Sequence, residues 1–227
     1  MSQNVQDEGF VGRMVGNLIR RSVKKHFRTV YWTPPAQPVQ APAVLFANHH
    51  GWFDGYLLYH AVTRLGVRCV DWIQEFDAFP LFAKVGGMPY RLNDPSGRAA
   101  TIRRTIRLMQ REAKPGPVPG RSAPLPPDDS AVWRRTFELL AKSVPNASFV
   151  PVAIRYEHAM HERPEAFLRF GPPIARGDQL SARSKDALQQ LLDGVVSDVR
   201  ERPETFEVLV QGTPSINERW DWRKFRR

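Results

Sequence analysis

His49 and Asp54 are an imidazole and a carboxylate with four residues between them, in the run Ala47-Asn48-His49-His50-Gly51-Trp52-Phe53-Asp54-Gly55. A carboxylate folded back onto one ring nitrogen keeps that nitrogen as N–H and stabilises the imidazolium. The other nitrogen is then free to take a proton from a hydroxyl. This is the histidine and carboxylate half of a serine-protease triad, with a substrate alcohol in the place of the serine. The plain structural alternative is a capping and hydrogen-bonding pair at the start of a helix.

The flanking residues must position the pair. Ala43-Val44-Leu45-Phe46 reads as a short buried strand, and Tyr56 to Val62 reads as a helix. The pair therefore falls at a strand-to-helix junction, and in an α/β sheet the carboxyl end of a strand opens onto a crevice above a rigid scaffold. Backbone N–H groups at the Gly51 or Gly87 turns are candidates for stabilising a developing oxyanion. A metal site built from His49, His50 and Asp54 is disfavoured, because adjacent residues of a strand point in opposite directions.

The chain of 227 residues suits one α/β domain. Cys69 is the only cysteine, which rules out an internal disulfide and suits a reducing compartment. No stretch approaches the roughly 20 apolar residues that span a bilayer, and the polar, acidic start is unlike a secretory leader. With 33 Lys+Arg against 23 Asp+Glu the formal charge is +10, which favours an anionic partner. Phe10 to Arg28 reads as a basic amphipathic helix, suited to lying on an anionic membrane or to packing on the domain. Trp32 and the prolines Pro34 and Pro35 end it. Nucleic acid is not the expected partner, since no finger, phosphate loop or RNA-recognition motif is present.

Asn48-His49-x-x-x-x-Asp54 resembles the NHxxxxD motif of the glycerolipid acyltransferases, the group that includes 1-acylglycerol-3-phosphate acyltransferase. The resemblance implies that His49 deprotonates an acceptor hydroxyl, which attacks an acyl thioester, with Asp54 orienting the ring and Asn48 in the substrate site. Gly86-Gly87-Met88-Pro89-Tyr90-Arg91 is similar to the family's second motif, so Gly87 and Arg91 are expected to bind substrate, Arg91 through the acceptor's phosphate. Ser148 to Tyr156, an apolar strand interrupted by Pro151, is similar to the fourth motif, whose proline lies beside the acyl-binding region.

The third motif is degraded. From Pro115 to Pro127 there are six prolines in thirteen residues, which predicts a loop or extended connector. Pro119-Gly120-Arg121-Ser122 retains the proline and glycine of the family's Pro-Glu-Gly motif without its glutamate. With Gly120 and Arg121 expected in the substrate site, either this loop supplies acceptor contacts in another way, through Arg121 and Ser122, or acceptor binding and turnover are impaired. Further helices are predicted over Ser96 to Lys114, Trp133 to Ser143 and Ser181 to Arg202, and strands over Arg68 to Ile73 and Glu165 to Phe170. Phe76 to Val85 is aromatic and apolar, suited to core packing or to an acyl-chain groove. The chain beyond Arg202 is expected to be irregular, ending in a basic aromatic tail.

These features predict an α/β fold: a single domain with a mixed, largely parallel sheet flanked by helices, glycerol-3-phosphate acyltransferase-like, behind an N-terminal basic amphipathic helix. The expected division is a membrane-associating helix over 1–35, the acyltransferase-like domain over 36–205 and the tail over 206–227. The implied activity moves an acyl group from acyl-CoA or acyl carrier protein to a lysophospholipid or glycerol-phosphate acceptor. It needs no metal or cofactor, and acts in the cytoplasm at the inner face of an anionic membrane. The alternative is a non-catalytic lipid-binding relative that has lost the third motif.

Overall fold

The computed structural model describes residues 9–49, 51–112, 121–122 and 131–221. In chain order its elements are α1 (Gly9–His26), β1 (Thr29–Thr33), β2 (Ala43–Ala47), α2 (Asp54–Arg64), β3 (Arg68–Cys69), β4 (Asp71–Ile73), β5 (Gly87–Pro89) and α3 (Pro95–Glu112). Then follow β6 (Arg121–Ser122), α4 (Ala131–Ser143), β7 (Ser148–Glu157), β8 (Glu165–Phe170), α5 (Leu180–Glu201), β9 (Glu207–Gln211) and α6 (Ile216–Arg219). Two 3-10 turns, Phe76–Ala78 and Pro80–Val85, lie between β4 and β5.

Five strands form one mixed sheet in the order β2-β7-β8-β1-β9. β2 with β7 and β1 with β8 are parallel, while β7 with β8 and β1 with β9 are antiparallel. Two short parallel pairs, β3 with β6 and β4 with β5, complete the set, so parallel pairing predominates. Helices cover both faces because β2 turns alternate side chains to each. Leu45 and Ala47 meet Leu57, Leu58 and Ala61 of α2, whereas Val44 and Phe46 meet Met109 of α3, Phe137 and Leu140 of α4 and Leu188 of α5. A strand buried on both faces reads as an unbroken apolar run, which is what Ala43–Ala47 shows.

Pro151 does not interrupt β7. Its carbonyl accepts from the Gly171 N–H at 2.9 Å, one step past the last β7–β8 pair, Val152 with Phe170. The N–H that a proline lacks is thus missing only beyond the end of that ladder, where β7 can do without it.

The structure corrects the sequence expectations in four places. The first helix stops at His26 rather than Arg28, and Thr29–Thr33, expected to belong to the N-terminal helical segment, is a strand inside the sheet. Its β-branched and aromatic residues suit a pleated surface. Glu207–Gln211 is the edge strand β9 rather than irregular chain, and its exposure to solvent on most positions hid it from pattern reading. Arg68 to Ile73 is two strands, β3 and β4, broken at Val70. Within the proline-rich stretch, Arg121 and Ser122 pair with Arg68 and Cys69, because this short proline-free run has N–H groups to donate. Residues 222–227 of the expected tail lie outside the described residues. At the other end, α1 joins the core: Val15 and Ile19 pack with Tyr59, Phe82 and Val85.

The face under α3 and α4 is held by a fully buried aromatic cluster. Phe137 meets Phe46 edge-on at 5.4 Å and Phe149 at 4.6 Å between ring centroids. Phe137→Ala is expected to destabilise the protein by about 3–5 kcal/mol through lost burial and a residual cavity, read as a lower midpoint in urea unfolding.

Candidate active site

The site begins where β2 ends. Asn48 Nδ2 donates to the Ile154 carbonyl and the Ile154 N–H donates to Asn48 Oδ1, both at 2.8 Å. The carboxamide offers a donor and an acceptor as a peptide unit does, so it extends the β2–β7 ladder past its last pair, Ala47 with Val152. The chain is thereby locked to β7 one residue before His49.

Asp54 opens α2 and is buried, with 4 % of its surface exposed. Its Oδ2 accepts from His49 Nδ1 at 2.5 Å and from the Gly51 N–H at 2.9 Å. Its Oδ1 accepts from the Tyr156 hydroxyl. Three donors and the positive end of the helix replace the hydration that this buried carboxylate gives up. The hydrogen bond to Asp54 raises the His49 pKa above its ordinary 6.5 against the opposing effect of burial, with further support from the Asp54 and Asp71 charges. Burial and the Asp54 charge push the Tyr156 phenol up, so it remains a donor. With Nδ1 occupied by Asp54, Nε2 of neutral His49 is the proton-accepting nitrogen. The Gly51 N–H, a candidate oxyanion donor in the sequence, is instead committed to Asp54.

Aromatic packing buttresses this turn. Phe53 stacks on His26 of α1 at 4.0 Å and meets Phe27 edge-on at 5.4 Å, and Phe27 in turn lies 5.6 Å from Tyr156.

His49 and Asp54 open onto a cavity of about 450 Å³, within the range of small-molecule sites. Its walls are largely apolar: Ile19 of α1, Tyr56 and Leu58 of α2, Ile73, Phe79 and Phe82. The aromatic stretch that allowed either core packing or a groove does both, since Phe82 and Val85 also belong to the core cluster beneath α1. Trp52, 60 % exposed, is also among the lining residues.

The residues expected at the site separate into groups. His49, Asp54, Asn48 and Gly87 line the cavity. Gly87 is there for close approach: a Cβ would stand 2.8 Å from Phe82 Cβ and 2.9 Å from the Phe82 carbonyl oxygen. Arg91 is not among the lining residues. Its guanidinium donates to both carboxylate oxygens of Asp77, each at 2.5 Å, and ties the end of β5 to the first 3-10 turn. Pro151 is buried in β7 and does not line the cavity. Arg121 contributes backbone pairing in β6, and Gly120 lies outside the described residues, as does His50. Two lining or supporting groups were missed in sequence, Tyr156 and Asp71. Tyr156 had a latent signal, since it stands two residues beyond Ile154 on the same face of β7.

The architecture is a mixed sheet between helices, with the His49 and Asp54 pair at a strand-to-helix turn. Its fold is similar to that in the crystal structure of the 1-acyl-sn-glycerophosphate (LPA) acyltransferase PlsC from Thermotoga maritima, with a TM-score of 0.53 over 82% of this chain and 79% of that one, at 12% identity. At that identity the likeness is one of fold. No family model and no curated protein matches the sequence.

The hydrogen bond between His49 and Asp54 has a direct spectroscopic consequence. An NMR titration is expected to place the His49 pKa above 6.5, and Asp54→Asn to lower it, because the largest raising contribution is removed while burial remains.

Proposed function

We propose that this protein is an acyltransferase that moves a fatty acyl group from an acyl-CoA or acyl carrier protein thioester to a hydroxyl of a lipid-type acceptor. Lysophospholipids and glycerol phosphates, to which the sequence resemblance points, carry such a hydroxyl. The observation that carries this reading is the His49–Asp54 pair on an apolar cavity, with Nδ1 held by Asp54. The fold shared with PlsC supports it.

In this reaction His49 Nε2 takes the hydroxyl proton as the oxygen attacks the thioester carbonyl carbon. Asp54 stabilises the imidazolium and keeps the ring in place. When the tetrahedral intermediate collapses the C–S bond breaks, and the departing thiolate takes the proton back from His49. The alkyl chain would lie among the apolar side chains of the cavity, and no metal or redox group has a part in these steps.

The same reading places the protein on the inner face of an anionic membrane, in the cytoplasm. Phe10, Met14 and Leu18 are exposed at successive helical turns of α1, next to exposed Arg13, Arg21, Lys24 and Lys25. An apolar stripe rimmed by cations suits the head-group interface. Among the described residues no helix is long and apolar enough to cross a membrane.

The test is mass-spectrometric detection of new esters from mixed thioester donors and single-chain alcohols. His49→Ala is expected to lower kcat/KM by about a thousandfold. In the wild type kcat/KM should fall as the pH drops through the raised His49 pKa, because imidazolium cannot accept a proton, and Asp54→Asn should move that limb to lower pH. Binding of lysolipids without any ester would instead indicate a non-catalytic lipid-binding protein. For the membrane, sedimentation with anionic vesicles should exceed that with zwitterionic ones, and a Phe10→Asp, Leu18→Asp double variant should weaken it by about tenfold or more.

A further inference from the structure

The cavity beside His49 contains acid and, among the described residues, no lysine or arginine. Its ionisable lining, besides His49 and the tyrosines, consists of Asp54, Asp71, Glu75 and Cys69. Arg91, the expected phosphate ligand, is held by both oxygens of Asp77. Arg20 is not among the lining residues, and it donates to the hydroxyl of one that is, Tyr59, at 3.1 Å. A phosphate entering such a cavity would give up water for carboxylates, with no described cation to replace it.

Asp71 is the informative residue. It begins β4, beside the start of α2, where its Oδ2 lies so close to Gly55 that a Cβ there would stand 3.0 Å away. The absence of a side chain at Gly55 thus makes room for this carboxylate. Asp54, not Asp71, holds Nδ1 of His49, while the Asp71 charge contributes to raising the His49 pKa. The Trp72 N–H supplies one hydrogen bond, and burial nevertheless raises the Asp71 pKa to about 7. A carboxylate has room for several donors and, when ionised, can only accept. Against the ionised form a ligand group must donate, and such a donor, above all a cation, stabilises that form against the burial that disfavours it.

We infer that the alcohol accepted by this cavity carries no phosphate beside its reacting hydroxyl, and that it presents a second donor, a hydroxyl or an ammonium, to Asp71. This rests on the acyl-transfer reading and narrows its lipid-type acceptor to phosphate-free single-chain alcohols, against the phosphate-bearing acceptors to which the sequence resemblance points. Asp71 and Asp54 then divide the work: Asp54 fixes the base, and Asp71 fixes the alcohol by its neighbouring group and repels anionic analogues.

The experiment compares initial rates of ester formation by the full-length protein on three acceptors of equal chain length: a monoacylglycerol, a single-chain amino alcohol and lysophosphatidic acid. The better phosphate-free acceptor is expected to exceed lysophosphatidic acid in kcat/KM by about tenfold or more, and which of the two wins identifies the donor as hydroxyl or ammonium. Asp71→Asn, which removes the charge and keeps the shape, should narrow that preference through KM. Preference for lysophosphatidic acid by the wild type would overturn the inference whether or not the variant folds. A folded Asp71→Asn variant with an unchanged ratio would overturn the role of Asp71. Both results leave acyl transfer standing, whereas no ester from any acceptor overturns the acyl-transfer reading and this inference with it.

Discussion

The geometry of the site depends on one buried carboxylate. Asp54 is almost removed from water, and an ionised group in that position is stable only where donors replace its hydration. Those donors come from three parts of the chain: the imidazole of His49, the backbone of Gly51 and the hydroxyl of Tyr156. Satisfying Asp54 therefore fixes the end of β2, the turn into α2 and the far part of β7 relative to one another. The same bonds that make its burial tolerable leave Nε2 as the unoccupied face of the histidine.

The sheet provides the precision. Asn48 lies 106 residues from Ile154 in sequence, yet its carboxamide closes two hydrogen bonds on that residue's backbone. Because β2 and β7 are parallel, both carry their chemistry to the same end of the sheet, where crevices form in α/β folds. α1 and the 3-10 turns after β4 then wall the crevice with apolar side chains. Ile19, Phe82 and Val85 serve at once as core and as cavity lining, so the shape of the cavity is set by packing as rigid as the interior.

The local chemistry could be read from the sequence. His49 and Asp54 interact within one turn of chain, and the alternation of apolar runs with helical stretches was enough to foresee an α/β sheet between helices. What escaped depends on register. Tyr156 reaches Asp54 only because β7 pairs with β2 at one particular offset, which no window of sequence contains. Asp71 read as an ordinary polar residue of a strand until α2 was laid over it with Gly55 at the contact. Arg91 was assigned from its order after His49, whereas its direction is set by Asp77 in a turn that the pattern did not resolve. The strands β1 and β9 were obscured by flanking prolines and by an exposed edge.

A structure with a hydrolysis-resistant thioether analogue of a long-chain acyl thioester and a single-chain alcohol would test the account most directly. The account predicts the alcohol oxygen within hydrogen-bonding distance of His49 Nε2, about 3 Å, with the alkyl chain between Tyr56, Phe79 and Phe82 and the His49–Asp54 bond intact. An alkyl chain bound elsewhere, or a His49 ring turned away from Asp54 in the complex, would contradict it.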